Sequence, residues 1–344
     1  MLIARHADVH EVLAGREEEI LAVVQETYGI HEDGRTAVPH STFLRFPGDD
    51  RNRVIGLPAF AGGDHPVAGM KWIASFPGNI DEGLPRASAA IVLNSLENGF
   101  PVALLEGSQI SAKRTAASAA LAARLLTEGD EPTGVTLVGG GVINTEVLRF
   151  LLVALPTLRE VTVFDLDAGR AEAFAARCRE LGPELTVDVA ADRPTALARH
   201  RLVALATTSG TPHLGSDELR PGTVVLHVSL RDLHPEVILG AQNIVDDADH
   251  VCRERTSLHL AEQQAGHREF IDASIGALVR GTVPFTRDPE RITVFSPFGL
   301  GILDMALAEY VRAQAAERGL GVQVEGFLGH GVTGSGHDAA GSGR

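Results

Sequence analysis

Residues 135–148 read VTLVGGGVINTEVL. The β-branched apolar run predicts a buried strand, the three glycines a tight turn, and the residues after them a helix from about Thr145 to Leu155, stopped by Pro156. Such a turn is either plain punctuation, since glycine tolerates positive φ, or the cradle of a dinucleotide pyrophosphate. The next strand candidate, VTVFD (161–165), tips the reading to the second, because it ends on Asp165 where a carboxylate would meet ribose hydroxyls. Gly139 then makes the turn and Gly141 admits the phosphates to the positive end of the helix, with Val142 and Ile143 lining the cofactor. Asn144 replaces the last glycine of G-x-G-x-x-G, so either the helix sits farther from the strand or the side chain caps it. Asp165, reinforced by Asp167, repels a 2′-phosphate and favours NAD, whereas Arg170 leaves an opening for NADP.

Working outward, AGRAEAFAARCRELG (168–182) reads as a helix and LTVDV (185–189) as a strand. RLVALATTS (201–209), TVVLHVSL (223–230) and QNIVDD (242–247) continue the strands at intervals suited to parallel pairing, the grammar of an α/β doubly wound sheet. By position, Thr207 and Thr208 end one of these strands beside the cofactor. Towards the N-terminus, residues 9–28 carry Val9, Val12, Leu13, Ile20, Leu21 and Val24 at helical intervals. Residues 38–110 are punctuated by Gly and Pro, and in ASAAIVLNSLENGFPVALLEG (87–107) the turn ENG separates two strands as in a hairpin. SAKRTAASAALAARLL (111–126) is a helix built for close packing. ITVFSPFG (292–299) leads into a last long helix with Leu300, Leu303, Leu307 and Tyr310 along one side.

Composition bounds the function. The chain has 344 residues, 44% of them hydrophobic, enough for two domains with cores of their own. A formal net charge of −15 argues against nucleic acid or an anionic membrane as partner. No stretch approaches a membrane span, so a soluble, cytoplasmic protein is expected. The two cysteines, Cys178 and Cys252, form no recognisable framework, and His227, His234, His250 and His259 form no ligand triad, so no metal is expected. The Gly/Ser-rich residues 329–344 read as a disordered tail. Of 30 basic residues only Lys71 and Lys113 are lysine. A lysine that survives such a bias points to a need for a compact, titratable cation; for Lys71, in GMKWIASFPGN, the alternative is a snorkelling surface residue. Lys113 and Arg114 are helical neighbours and cannot both aim at one ligand.

GMKWIASFPGN, ENGFPVALLEGSQISAKRTAASAALAARLL, the glycine loop and ITVFSPFGLGILD together resemble the ornithine cyclodeaminase and mu-crystallin family, over residues 38–322. HSTFLRFP, HVSLRDLHPEVIL and RTSLHLAEQ are similar to its 2,3-diaminopropionate-forming branch, the N-(2-amino-2-carboxyethyl)-L-glutamate dehydrogenases. The resemblance implies a homodimer whose Rossmann NAD-binding domain (119–298) is inserted into a discontinuous α+β substrate-binding and dimerisation domain (1–118 and 299–328). It implies that Lys71, Arg114 and Arg45 hold the substrate carboxylate, that Asp232 handles protons at the substrate amine, and that Ser229, Ser296, Phe298 and Gly299 complete the cofactor site. Cyclodeaminases carry a small hydroxylated residue where Arg86 stands; here it either grips an extra carboxylate of a glutamate-derived substrate or is a strand-edge charge. Without the resemblance, Asp232 in RDLHP reads as a turn residue. The implied reaction is oxidation of the amino-acid conjugate to 2-oxoglutarate and 2,3-diaminopropionate, for a siderophore or peptide antibiotic. A cyclodeaminase that recycles NAD, a ketimine reductase and a non-catalytic binding protein are the alternatives.

Overall fold

The computed structural model describes residues 1–327; the tail at 329–344 lies outside the described residues. Two eight-stranded sheets organise the chain. In the second, Thr186–Val189, Glu160–Phe164, Gly134–Val138, Leu202–Leu205, Val224–His227, Thr293–Ser296, Gln242–Val245 and Ile271–Ser274 lie side by side in that order, all parallel. Its inner strands are buried on both faces, which is why they read as unbroken apolar runs. The order reverses between Gly134–Val138 and Leu202–Leu205, so the crevice of a doubly wound sheet opens at their carboxyl ends.

The first sheet is mainly an antiparallel meander of Asp49–Ala61, Val67–Ser75, Ala87–Asn94 and Pro101–Glu106, extended by Leu2–Ala4 and Val322–Gln323 on one side and by Thr36–Ala37 and Thr42–Phe46 on the other. The ENG turn does join a hairpin, with Asn94 opposite Pro101. Helix Gly301–Glu317 packs on this sheet, although the strand before it, Thr293–Ser296, belongs to the other. Helix Ser108–Leu126 lies between the sheets and packs on helix Val142–Ala154. Its fully buried Ala116, Ala117, Ala119 and Ala120 permit that approach. Phe150, Phe174 and Phe295 are also fully buried, each contributing about 2–3 kcal/mol of apolar transfer.

Two expectations change, and one strand is added. The apolar run at 9–28 is two helices, His6–Leu13 and Glu17–Glu32, broken where Gly15 adopts φ +68°. The helix after the glycines begins at Val142 rather than Thr145, directly against Gly141. Strand Ile271–Ser274 had no sequence signal, since IDAS is short and half polar.

Candidate active site

Lys71 points from its strand into the interior, where its Nζ donates to Asp304 Oδ2 at 2.7 Å and to Ser111 Oγ at 3.0 Å. It is 1% exposed, which rules out the snorkelling alternative. Arg114 Nε donates to the other oxygen of the same carboxylate, Asp304 Oδ1, at 3.1 Å. One buried aspartate thus clamps two cations from a strand and a helix that are far apart in the chain. Burial pulls the Lys71 ammonium down to about 8, against the opposing pull of Asp304. Lys113 faces elsewhere, to Glu146 at 3.2 Å and Glu17 at 3.5 Å, as helical geometry requires.

The guanidinium of Arg114 lies under the loop that leaves the parallel sheet. A Cβ on Gly299, whose φ is +95°, would stand 2.7 Å from Arg114 Nη1, so only glycine fits there. Buried Asp246 pins this loop, accepting the N–H groups of Phe298 at 2.9 Å and Gly299 at 2.7 Å. Desolvation raises the Asp246 carboxyl in spite of those bonds.

Asp232 is fully buried, unlike a solvent-facing turn aspartate. The hydroxyls of Thr207 and Ser229 donate to its two carboxylate oxygens. Its backbone N–H donates to His227 Nε2 at 3.1 Å, and His227 Nδ1 lies 3.2 Å from Ser296 Oγ, so a buried ring links Asp232 to the strand bearing Ser296. Burial disfavours the Asp232 carboxylate, but His227, Ser229 and Thr207 outweigh it and hold the carboxyl at about 2.

The glycine loop is shaped for a dinucleotide. Gly139 has φ +98°, and a Cβ there would sit 2.5 Å from Ala206 O; over Gly141 a Cβ would meet nothing within 4 Å. The helix N-terminus starting at Val142 therefore faces open space. Val142 is 72% exposed and Ile143 half-buried. Asn144 does not cap the helix: it is buried, and Nδ2 donates to Val138 O at 2.9 Å and Gly139 O at 2.8 Å, tying helix to strand. Its Oδ1 is buried without a partner.

Asp165 Oδ2 accepts the Gly140 N–H at 2.8 Å, and Oδ1 accepts from Asp167 N and Arg170 Nη2. Burial raises the Asp165 carboxyl, yet these partners bring it below its ordinary value, so it stays ionised. Arg170 is occupied by that pair, and Asp167 caps helix Ala168–Leu181 through the N–H of Arg170. Beside Asp165 a cleft of about 480 Å³ is lined by Phe164, Leu166, Val189, Ala190 and Arg193.

The strands ending at Val138, Phe164, Leu205, His227 and Ser296 thus bring the glycine loop, Asp165, Thr207, Ser229 and Ser296 to one edge of the sheet. Thr208 is exposed there. Arg45 and Arg86 stand apart from the Lys71–Arg114 clamp: Arg45 Nη2 pairs with Glu254 at 2.8 Å, and Arg86 Nη1 donates to Ser75 Oγ at 3.4 Å. Sequence reasoning missed Asp304, Asp246 and the linking role of His227. For Asp304 a signal existed, a lone carboxylate within the apolar GILDMAL.

A doubly wound parallel sheet with a glycine turn at its carboxyl edge, beside a second sheet that carries a buried lysine–aspartate–arginine cluster, is the architecture of a Rossmann-type oxidoreductase of amino acids. The chain belongs to the ornithine cyclodeaminase/mu-crystallin family, whose model matches residues 2–319. It is similar to N-((2S)-2-amino-2-carboxyethyl)-L-glutamate dehydrogenase of Staphylococcus aureus, with 28% identity over 93% of this chain and 97% of that protein. It is also similar to alanine dehydrogenase of Archaeoglobus fulgidus, with 26% identity over 90% and 94% of the two chains. Among solved structures, that of CmnK superposes with a TM-score of 0.87 at 29% identity, covering 95% of this chain and 99% of the other. An archaeal alanine dehydrogenase dimer with bound NAD gives 0.84 at 25% identity, covering 95% and 99%.

Proposed function

We propose that this chain is an NAD-dependent dehydrogenase that converts N-(2-amino-2-carboxyethyl)-L-glutamate to 2-oxoglutarate and L-2,3-diaminopropionate, feeding a siderophore or peptide antibiotic. The observation that carries this reading is the buried Lys71–Asp304–Arg114 clamp, whose arginine lies against Gly299 in the loop that leaves the parallel sheet. The similarity to the S. aureus enzyme supports the choice of substrate.

Gly139 to Asn144, Asp165, Thr208 and the Ser296–Gly299 loop would hold NAD, which when bound supplies the acceptor for the hydride leaving the Cα of the glutamate moiety. Lys71 and Arg114 bind the α-carboxylate next to that carbon and fix the face it presents, an orientational contribution. Loss of hydride needs a free nitrogen lone pair, so the substrate ammonium must first release its proton. Asp232 receives it, with the Thr207 and Ser229 hydroxyls turning away as the amine approaches. The resulting C=N bond takes up water, and Asp232 returns the proton to nitrogen as the C–N bond breaks. His227 holds the loop of Asp232 in register with Ser296 throughout.

The enzyme works as a cytoplasmic homodimer with its two domains divided as the sequence suggests. Leu44, Met70 and Trp72 support the dimer: they lie on the face of the first sheet opposite Lys71 and are 44%, 39% and 44% exposed, a surface for a second copy. No helix among the described residues is long and apolar enough to cross a membrane.

Incubation with NAD and the conjugate tests the reading. Stoichiometric formation of NADH absorbance and 2-oxoglutarate is expected. Turnover of ornithine without net NADH, and none of the conjugate, would instead establish a cyclodeaminase.

A further inference from the structure

The face of the first sheet that carries Lys71 also carries a concentration of arginine that the clamp does not use. Arg45 lies opposite Arg53, and Arg53 lies opposite Ser75, so the three form one row across three strands. Side chains alternate along a strand, so Ser75 shares the face of Lys71 at a distance of about 13 Å, four residues of strand rise. Arg86 reaches the same row, its Nη1 on Ser75 Oγ. Arg231, the neighbour of Asp232, enters from the parallel sheet, its Nη2 donating to the carbonyl of Glu254 at 2.7 Å. Arg231, Arg86 and Arg45 all lie close enough to Arg53 for their charges to act on it, so four guanidinium groups gather from both sheets.

Their charges are not balanced. Glu254 pairs with Arg45, but Arg53, Arg86 and Arg231 make no ion pair with any described side chain, and all three are half-buried. Desolvation lowers all three guanidinium groups, and the charges of Arg231, Arg86 and Arg45 lower Arg53 further. Glu254 acts on Arg53 and Arg231 as well as on Arg45, and Asp232 on Arg231, but four partly desolvated cations outnumber these carboxylates, which costs stability unless a further anion arrives to accept their hydrogen bonds. A planar carboxylate suits such forks.

We propose that Arg53, Arg86 and Arg231, with Arg45 at the rim, form a second anion subsite that takes a distal carboxylate of the substrate while Lys71 and Arg114 hold the α-carboxylate. This rests on the reading of the crevice under the proposed function and extends it to specificity: the subsite selects multiply carboxylated amino acids over monocarboxylic ones.

The experiment compares two probes of equal chain length on the enzyme saturated with NADH, 2-oxoglutarate and 2-oxopentanoate, which has a methyl group in place of the second carboxylate. Calorimetry should show 2-oxoglutarate binding about 10- to 100-fold more tightly. Arg53→Gln and Arg86→Gln should each remove most of that preference while leaving 2-oxopentanoate affinity unchanged. Each should also raise the melting temperature of the ligand-free protein, because an uncompensated charge is gone, whereas loss of a purely structural arginine would lower it. Equal affinity of the wild type for both probes, binding of neither, or variants that melt earlier and lose both probes alike would overturn the proposal. Failure of the functional reading shows separately, as absence of NADH from the conjugate while the preference between probes persists.

Discussion

Replacing Asp304 by Asn should cost more than any other single isosteric change in the protein. Asp304 is fully buried and neutralises Lys71 at 2.7 Å and Arg114 at 3.1 Å. The amide keeps the shape but removes the charge, leaving two cations in an interior that cannot solvate them. Breaking a buried ion pair from one side costs about 3–5 kcal/mol, which for a chain of this size lowers the melting temperature by roughly 4–7 °C. The loss should depend on pH. Lys71 is already drawn down to about 8 in the folded protein, against 10.5 ordinarily. Below pH 8 the wild type holds a charged Lys71 that Asp304 stabilises, and the variant does not. As pH rises through about 8 the wild-type lysine discharges, its bond to Asp304 weakens, and the gap between the two proteins narrows. It does not close, because Arg114 keeps its charge. Scanning calorimetry at pH 7 and pH 9.5, with KM for the conjugate at pH 7, checks this. A melting temperature within a degree of wild type at pH 7, or a gap that widens at pH 9.5, would refute the electrostatic account of the clamp.

Other outcomes rest on the same geometry. Gly139→Ala puts a methyl group 2.5 Å from Ala206 O at a φ of +98°; a loss of about 2 kcal/mol or more and of NAD binding is expected, read by thermal melts and protein-fluorescence quenching on NAD titration. Asn144→Leu strips hydrogen bonds from two carbonyls and should cost about 1–3 kcal/mol with weakened NAD affinity, measured in the same titration. Asp232→Asn should lower kcat by about 100- to 10,000-fold without lowering the melting temperature enough to unfold the protein at assay temperature. The depressed Asp232 carboxyl contributes stability present above pH 3.8 and lost only as pH falls through about 2, so kcat/KM should show no acid limb from this group between pH 4 and 6. An alkaline limb near pH 8, where Lys71 loses the charge that binds carboxylate, should appear in KM, and Lys71→Arg should shift it upward.

The doubly wound half was legible because its strands are buried on both faces and its turn is three glycines; little else produces VTLVGGG followed by a carboxylate at the end of the next strand. Lys71 was visible through scarcity, one of two lysines in the chain. The same bias hid Arg53 and Arg231, which nothing local separates from the many other arginines; only strand register and the meeting of the two sheets sets them apart. Asp304 was hidden by its helix, whose apolar side reads as continuous core, and the partner that justifies a carboxylate there lies 233 positions away. Asn144 looked like a defect in the glycine pattern because a sequence motif records size and not hydrogen bonds. In three dimensions its amide holds the two segments the glycine would otherwise let approach.

One consequence of the shared aspartate concerns electroneutrality. Lys71 and Arg114 bring two positive charges and Asp304 one negative, so the clamp is monovalent and a single carboxylate brings it to zero. A second anionic group crowded into the same place would be repelled by the first with nothing left to screen it. Any ligand with more than one acid function must therefore lie extended across the crevice instead of chelating at one end.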